Sequence, residues 1–160
     1  MPAMLTVVVP RSGGRYVRRV TSSGKATADG IVFGPNGSGK LYLSWFQHRG
    51  GDWRKSEWAS DVPPAEEYDI FCTSDVQGWQ GPRGEYWGVR DVSGTALGTR
   101  GERIAKFPAN ATPAIPWHGY PVSTMSGQER DQPPDELVSS WREAGIVTRT
   151  FALKIQRRKA

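Results

Sequence analysis

Glycine and proline punctuate this chain too often for long elements to form: 19 glycines and 12 prolines are spread through 160 residues. Glycine weakens helices and strands through its backbone freedom, and proline through its fixed φ and missing N–H. Many short elements joined by turns are therefore expected. The apolar fraction of 37% suits such a fold. Seven tryptophans speak against disorder, because disordered chains are poor in aromatics. The length fits one domain with its own core.

The apolar runs between these breakers read as strands. Met4 to Val9 ends at Pro10, and Tyr16 to Val20 follows the Gly13-Gly14 pair. Ile31 to Phe33 and Leu41 to Phe46 flank the turn signal Asn36-Gly37, and the second run alternates with period two, which predicts a hairpin. Tyr68 to Thr73, Glu85 to Val92 and Arg103 to Phe107 complete the expected strands. Residues 53–58 have aromatic ends and a charged middle and fit no single element. The prolines between Pro108 and Gln132 predict an extended or irregular connection.

Beyond it the pattern becomes helical. Pro133-Pro134 followed by Asp135-Glu136 opens a helix, with acids near the positive end of its dipole. Leu137, Val138, Trp141 and Ala144 form its apolar stripe, and Gly145 suits the left-handed position after it. Thr148 caps a second helix, Arg149 to Arg158, with Phe151 and Ile155 on the buried face. The expected fold class is α+β: a mainly antiparallel, twisted sheet of five to seven strands with a C-terminal helical hairpin. Residues 1–107 form the β-rich core, 108–132 the proline-rich connection and 133–160 the hairpin.

A single cysteine, Cys72, leaves no internal disulfide and points to a reducing compartment. The Met4 to Val9 run is too short for a signal-peptide core, and no run approaches the roughly 18 apolar residues of a membrane span. A cytoplasmic protein without membrane contact is expected.

The net charge of +5 is unevenly placed. Arg11, Arg15, Arg18, Arg19 and Lys25 stand at one end, and Arg149, Lys154, Arg157, Arg158 and Lys159 at the other. All 16 acids lie between the two groups. Such ends either meet a polyanion or rest against the protein's own carboxylates.

Gly34-Pro35-Asn36-Gly37-Ser38-Gly39-Lys40 matches a phosphate-binding loop up to its lysine. Leu41 then stands where the magnesium-ligating hydroxyl belongs, and the following residues alternate as a strand rather than opening a helix. Asp75 is a poor match for the metal-binding acid. The segment is expected to be a hairpin turn and the protein not a P-loop NTPase.

The two histidines, His48 and His118, and Cys72 lack the spacing of a zinc site, so neither metal nor cofactor is expected. His118 stands in the rigid, aromatic stretch Pro116-Trp117-His118-Gly119-Tyr120-Pro121, which suits general acid–base work or a mere turn. A Cys72–His118 nucleophile pair requires a thiol that an apolar strand would bury. RNA cleavage needs a base such as His48, His118, Glu66 or Glu67, and cations for the phosphorane.

Trp45, Trp87 and Trp141 fit core positions. Trp53, Trp58 and Trp79 lie near Arg49, Arg54, Lys55 and Arg83, an interleaving suited to single strands, whose bases stack while phosphates pair. The basic second helix after a glycine turn also suits a DNA-reading helix–turn–helix, but no third helix accompanies it.

These residues favour a small, basic, non-enzymatic nucleic-acid-binding module, with RNA or single strands foremost. Its contact residues would be Arg15, Arg18, Arg19, Trp53, Arg54, Lys55, Trp58, Trp79, Arg83, Arg149, Lys154, Arg157 and Arg158. The alternatives are a protein–protein interaction domain, such as an adaptor, inhibitor or immunity-type protein, and a small metal-independent nuclease built on His118 or His48.

Overall fold

The Asn36-Gly37 signal does mark a hairpin in the computed structural model, which describes residues 24–52 and 54–160. The expected strands Met4 to Val9 and Tyr16 to Val20, together with Arg15, Arg18, Arg19 and Trp53, lie outside the described residues. Strand β2 (Gly30–Phe33) pairs antiparallel with β3 (Tyr42–Trp45), placing Ile31 opposite Ser44 and Phe33 opposite Tyr42. A two-residue strand β1 (Lys25–Ala26) lies on the other side of β2. Asn36 closes the hairpin loop, since its Oδ1 accepts from the Ser38 and Lys40 N–H groups at 3.1 and 2.9 Å.

The run Tyr68 to Thr73 is not a strand. It lies within helix α1 (Pro64–Gln77). Pro64 begins the helix, and Glu66 and Glu67 stand in its first turn, where acids favour the helix dipole. The buried residues Glu67, Tyr68, Ile70, Phe71, Cys72 and Ser74 pair at the helical spacing of four, Glu67 with Phe71, Tyr68 with Cys72 and Ile70 with Ser74, so the alternation of Tyr68, Ile70 and Cys72 is incidental. All the apolar residues of that stretch can be buried because α1 is covered by strands β2 and β3 as well as by the next sheet.

That next sheet is formed by β4 (Tyr86–Val89), β5 (Ile104–Phe107) and β6 (Tyr120–Val122), antiparallel in the order β4-β5-β6. The architecture is thus α+β with two three-stranded antiparallel sheets among the described residues, not one sheet of five to seven strands. The chain-breaking residues and the α1 excursion keep each sheet small. Strand β6 arises within the connection expected to be irregular. It carries Pro121, which is tolerated because β6 is the edge strand.

The second sheet separates two apolar clusters. Trp87, Val89, Ile104 and Val122 face the terminal helices, while Tyr86, Ala105 and Phe107 face α1 and the first sheet. This alternation within β4 and β5 is the period-two pattern of strands buried on both sides. The terminal pair comprises α2 (Asp135–Glu143) and α3 (Arg149–Gln156). Gly145 takes φ 71 between them, and Thr148 Oγ1 accepts from the Phe151 N–H at 3.1 Å as the cap of α3. Trp141 is fully buried and meets Trp79 edge-on at 5.3 Å. Among the described residues no helix is long and apolar enough to cross a membrane.

Candidate functional site

The two histidines meet. His48 ends a 3-10 turn, Phe46–His48, that continues directly from β3. This turn is held by the Phe46 N–H, which donates to Asp29 O at 2.9 Å, and by the Trp58 N–H, which donates to His48 O at 3.0 Å. His118 arrives from the other side. The Trp117 backbone extends the β3 edge, donating to Leu41 O at 2.8 Å and accepting from the Leu43 N–H at 2.7 Å. Trp58 Nε1 then donates to Gly119 O at 3.0 Å and fixes the chain just beyond His118. Gly119 is needed for close approach: a Cβ there would lie 2.3 Å from Phe107 Cδ1.

The imidazole centroids are 5.7 Å apart with planes inclined by 30°. Trp45 meets both rings edge-on, at 5.4 Å from His48 and 5.1 Å from His118. Tyr120 lies 5.3 Å from His48. All four side chains are half-buried. One nitrogen of each imidazole, His48 Nε2 and His118 Nδ1, is buried without a hydrogen-bond partner.

Burial pushes the His48 imidazole down to about 4, with repulsion from His118 and Lys55 adding to it and Glu57 opposing. Burial also lowers His118. Both rings are therefore poised as neutral bases near pH 7. Burial raises Tyr120, aided by Asp131 and opposed by Arg130. Glu57 is buried and accepts from the Gly51 and Asp52 N–H groups at 2.7 and 3.1 Å, which anchors the loop that carries Lys55.

The acids considered as bases are engaged elsewhere. Glu67 is fully buried, accepting from Tyr42 at 2.9 Å, Ser44 at 2.6 Å and Arg49 Nε at 2.6 Å. Burial raises its carboxyl, while Arg49 and these hydrogen bonds oppose the shift. Glu66 pairs with Arg90 at 2.7 Å. Cys72 sits in the core on α1, 2% exposed, where a substrate does not reach its thiol.

The phosphate-loop look-alike has a resident carboxylate. Asp75 of α1 accepts from Asn36 at 2.8 Å, Ser38 at 2.5 Å, Lys40 at 3.0 Å and Tyr86 at 2.9 Å. Lys40 is thus held by Asp75 in the turn of the β2–β3 hairpin, and β3 rather than a helix follows the loop.

The proposed stacking tryptophans fare differently. Trp58 and Trp79 are buried, 3% and 8% exposed, and offer no free ring face to a base. Arg54 and Lys55 both approach Asp52, at 3.0 and 4.0 Å. Arg83 is exposed. On the solvent face of α3 and just after it, Arg149, Lys154, Arg157, Arg158 and Lys159 are exposed and make no ion pair among the described residues. Sequence reasoning missed Trp45 and Tyr120 as partners of the histidines. The Trp117-His118-Gly119-Tyr120 stretch was their one local signal. Among the described residues no three His, Cys, Asp or Glu side chains gather in a way that could hold a metal ion. Comparison with known proteins finds no match, since no family model, curated protein or solved structure resembles the chain closely enough.

Proposed function

We propose that this protein binds RNA and cleaves it by phosphodiester transfer, with His48 and His118 as the proton-transfer pair. The observation that carries the reading is the meeting of the chain's only two histidines in one half-buried aromatic niche. In the step, His48 takes the proton of a ribose 2′-OH, and O2′ bonds to the adjacent phosphorus. The P–O5′ bond breaks, and a protonated His118 gives its proton to O5′. A 2′,3′-cyclic phosphate and a 5′-hydroxyl result.

His48 is neutral near pH 7, chiefly through burial with His118 and Lys55 adding to it, so it enters the step with a nitrogen able to accept the proton. His118 is lowered by burial alone, and an incoming phosphate favours its protonation. Lys55 supplies positive charge beside the pair for the phosphorane oxygens. The unpaired cations of α3 offer phosphate contacts away from the reacting bond, which supports strand binding in its own right.

The test is an assay on single-stranded RNA in the presence of a chelator, comparing the protein with His48→Ala and His118→Ala. Cleavage is expected to fall at least about 100-fold in each variant, with RNA binding retained. Equal cleavage by all three proteins, or none by the unmodified chain, overturns the catalytic role.

A further inference from the structure

We infer that a second cleft, between the strand sheet and the terminal helices, is a nucleotide site that takes one nucleoside monophosphate unit. This inference does not depend on the histidine pair. The cleft has a volume of about 520 Å³, within the range of small-molecule sites. Arg83, Lys106, Arg130 and Arg158 reach it from four separate parts of the chain.

Lys106 is the anomalous member. It lies on β5 facing the helices, directly opposite Trp87 of β4, and is only 8% exposed. Its ammonium stands 5.4 Å from the centre of the Trp87 ring and donates to Arg130 O. The cation therefore holds the Arg130 segment over the sheet. Arg158 is the only described non-glycine residue with a positive φ, at 57°, in the turn that ends α3. That left-handed conformation disfavours a side chain, yet an arginine occupies it and lines the cleft. The side chains of Arg83, Arg130 and Arg158 make no hydrogen bond or ion pair among the described residues.

A bare polyanion track is not what these walls offer, because acids line the cleft as well. Glu85 is occupied, accepting from the Arg83 N–H at 2.9 Å and the Trp87 indole at 3.2 Å. Glu129 and Asp135 are exposed and free to accept from sugar hydroxyls. Prolines supply flat apolar wall. Arginine forks for a phosphate, carboxylates for ribose hydroxyls and an apolar wall for a base are together the complement of a nucleotide. That unit can be a free nucleotide or one residue of an RNA strand.

The test is calorimetric titration of the full chain with 5′-AMP and 5′-GMP, then with a non-cleavable 2′-O-methyl trinucleotide. Arg130→Ala and Arg158→Gly are compared with Arg142→Ala, an exposed cation of α2 outside the cleft. Glycine keeps the left-handed turn, so Arg158→Gly removes the guanidinium without disturbing the fold. Binding about tenfold weaker in both cleft-arginine variants and unchanged in Arg142→Ala supports the site. If only the trinucleotide binds, with the same dependence on the arginines, the unit is a strand residue. Absence of binding by all three ligands overturns the inference, as does binding indifferent to both arginine variants or matched by inorganic phosphate alone.

Discussion

His48 and His118 lie with ring centroids 5.7 Å apart, although one follows β3 and the other precedes β6. His48 cannot take a proton without meeting the field of His118, whereas His118 is lowered by burial alone. The protonation of His48 is therefore coupled to the geometry that joins the two sheets.

This coupling predicts a specific titration. By NMR, the His48 imidazole is expected to titrate near 4, chiefly through burial and secondarily through His118. His118→Gln removes the repulsion and moves the midpoint up, while burial still holds it below 6.5. The sign for stability follows. The unfolded chain takes up this proton as pH falls through 6.5, and the folded protein resists until about 4, so stability is lost across that window. A His48 midpoint at 6.5 in the unmodified protein contradicts the described burial.

The Arg49–Glu67 pair ties the residue after His48 to α1. Glu67 has no exposed surface and depends on Arg49, Tyr42 and Ser44. Arg49→Ala leaves a buried carboxylate without its cation and is expected to cost about 3–5 kcal/mol in urea unfolding. A loss below about 1 kcal/mol places the pair outside the stabilising framework.

At the hairpin, Asp75→Ala strands Asn36, Ser38, Lys40 and Tyr86 at once. A loss of about 2 kcal/mol is expected, with faster amide exchange confined to residues 34–40. Lys40→Ala is expected to leave nucleoside triphosphate binding unchanged. A marked loss of such binding would restore the phosphate-loop reading of this segment.

Gly119→Ala tests how His118 is placed. The added methyl must push against Phe107, so a cost of about 1–3 kcal/mol is expected. The His48 midpoint should rise in this variant, as it does in His118→Gln, because the connection is driven from its partner. An unchanged midpoint shows that His118 holds its position without this close packing.

Local chemistry made some of this fold legible in the sequence. The α2–α3 pair was readable because its signals sit within a few residues: Pro133-Pro134 before the first turn, Gly145 between the helices and Thr148 as cap. The 34–41 hairpin was readable for the same reason. The Tyr68 to Thr73 stretch was misread because a helix covered on several sides loses its polar stripe, so incidental alternation imitates a strand. Strand β6 was hidden by Pro121, which only an edge position permits. The sequence supplied both histidines and singled out the rigid loop around His118. Their meeting depends on Trp117 adding to the β3 edge, a long-range pairing that no window of neighbouring residues contains.

The most direct measurement is ³¹P NMR of the products formed from a single-stranded RNA oligonucleotide in excess chelator. The proposed histidine chemistry predicts a cyclic phosphodiester resonance that grows with time and is absent with His48→Ala or with an all-deoxy strand. Products ending in linear 5′-phosphates, or an oligonucleotide left intact by the unmodified protein, contradict it.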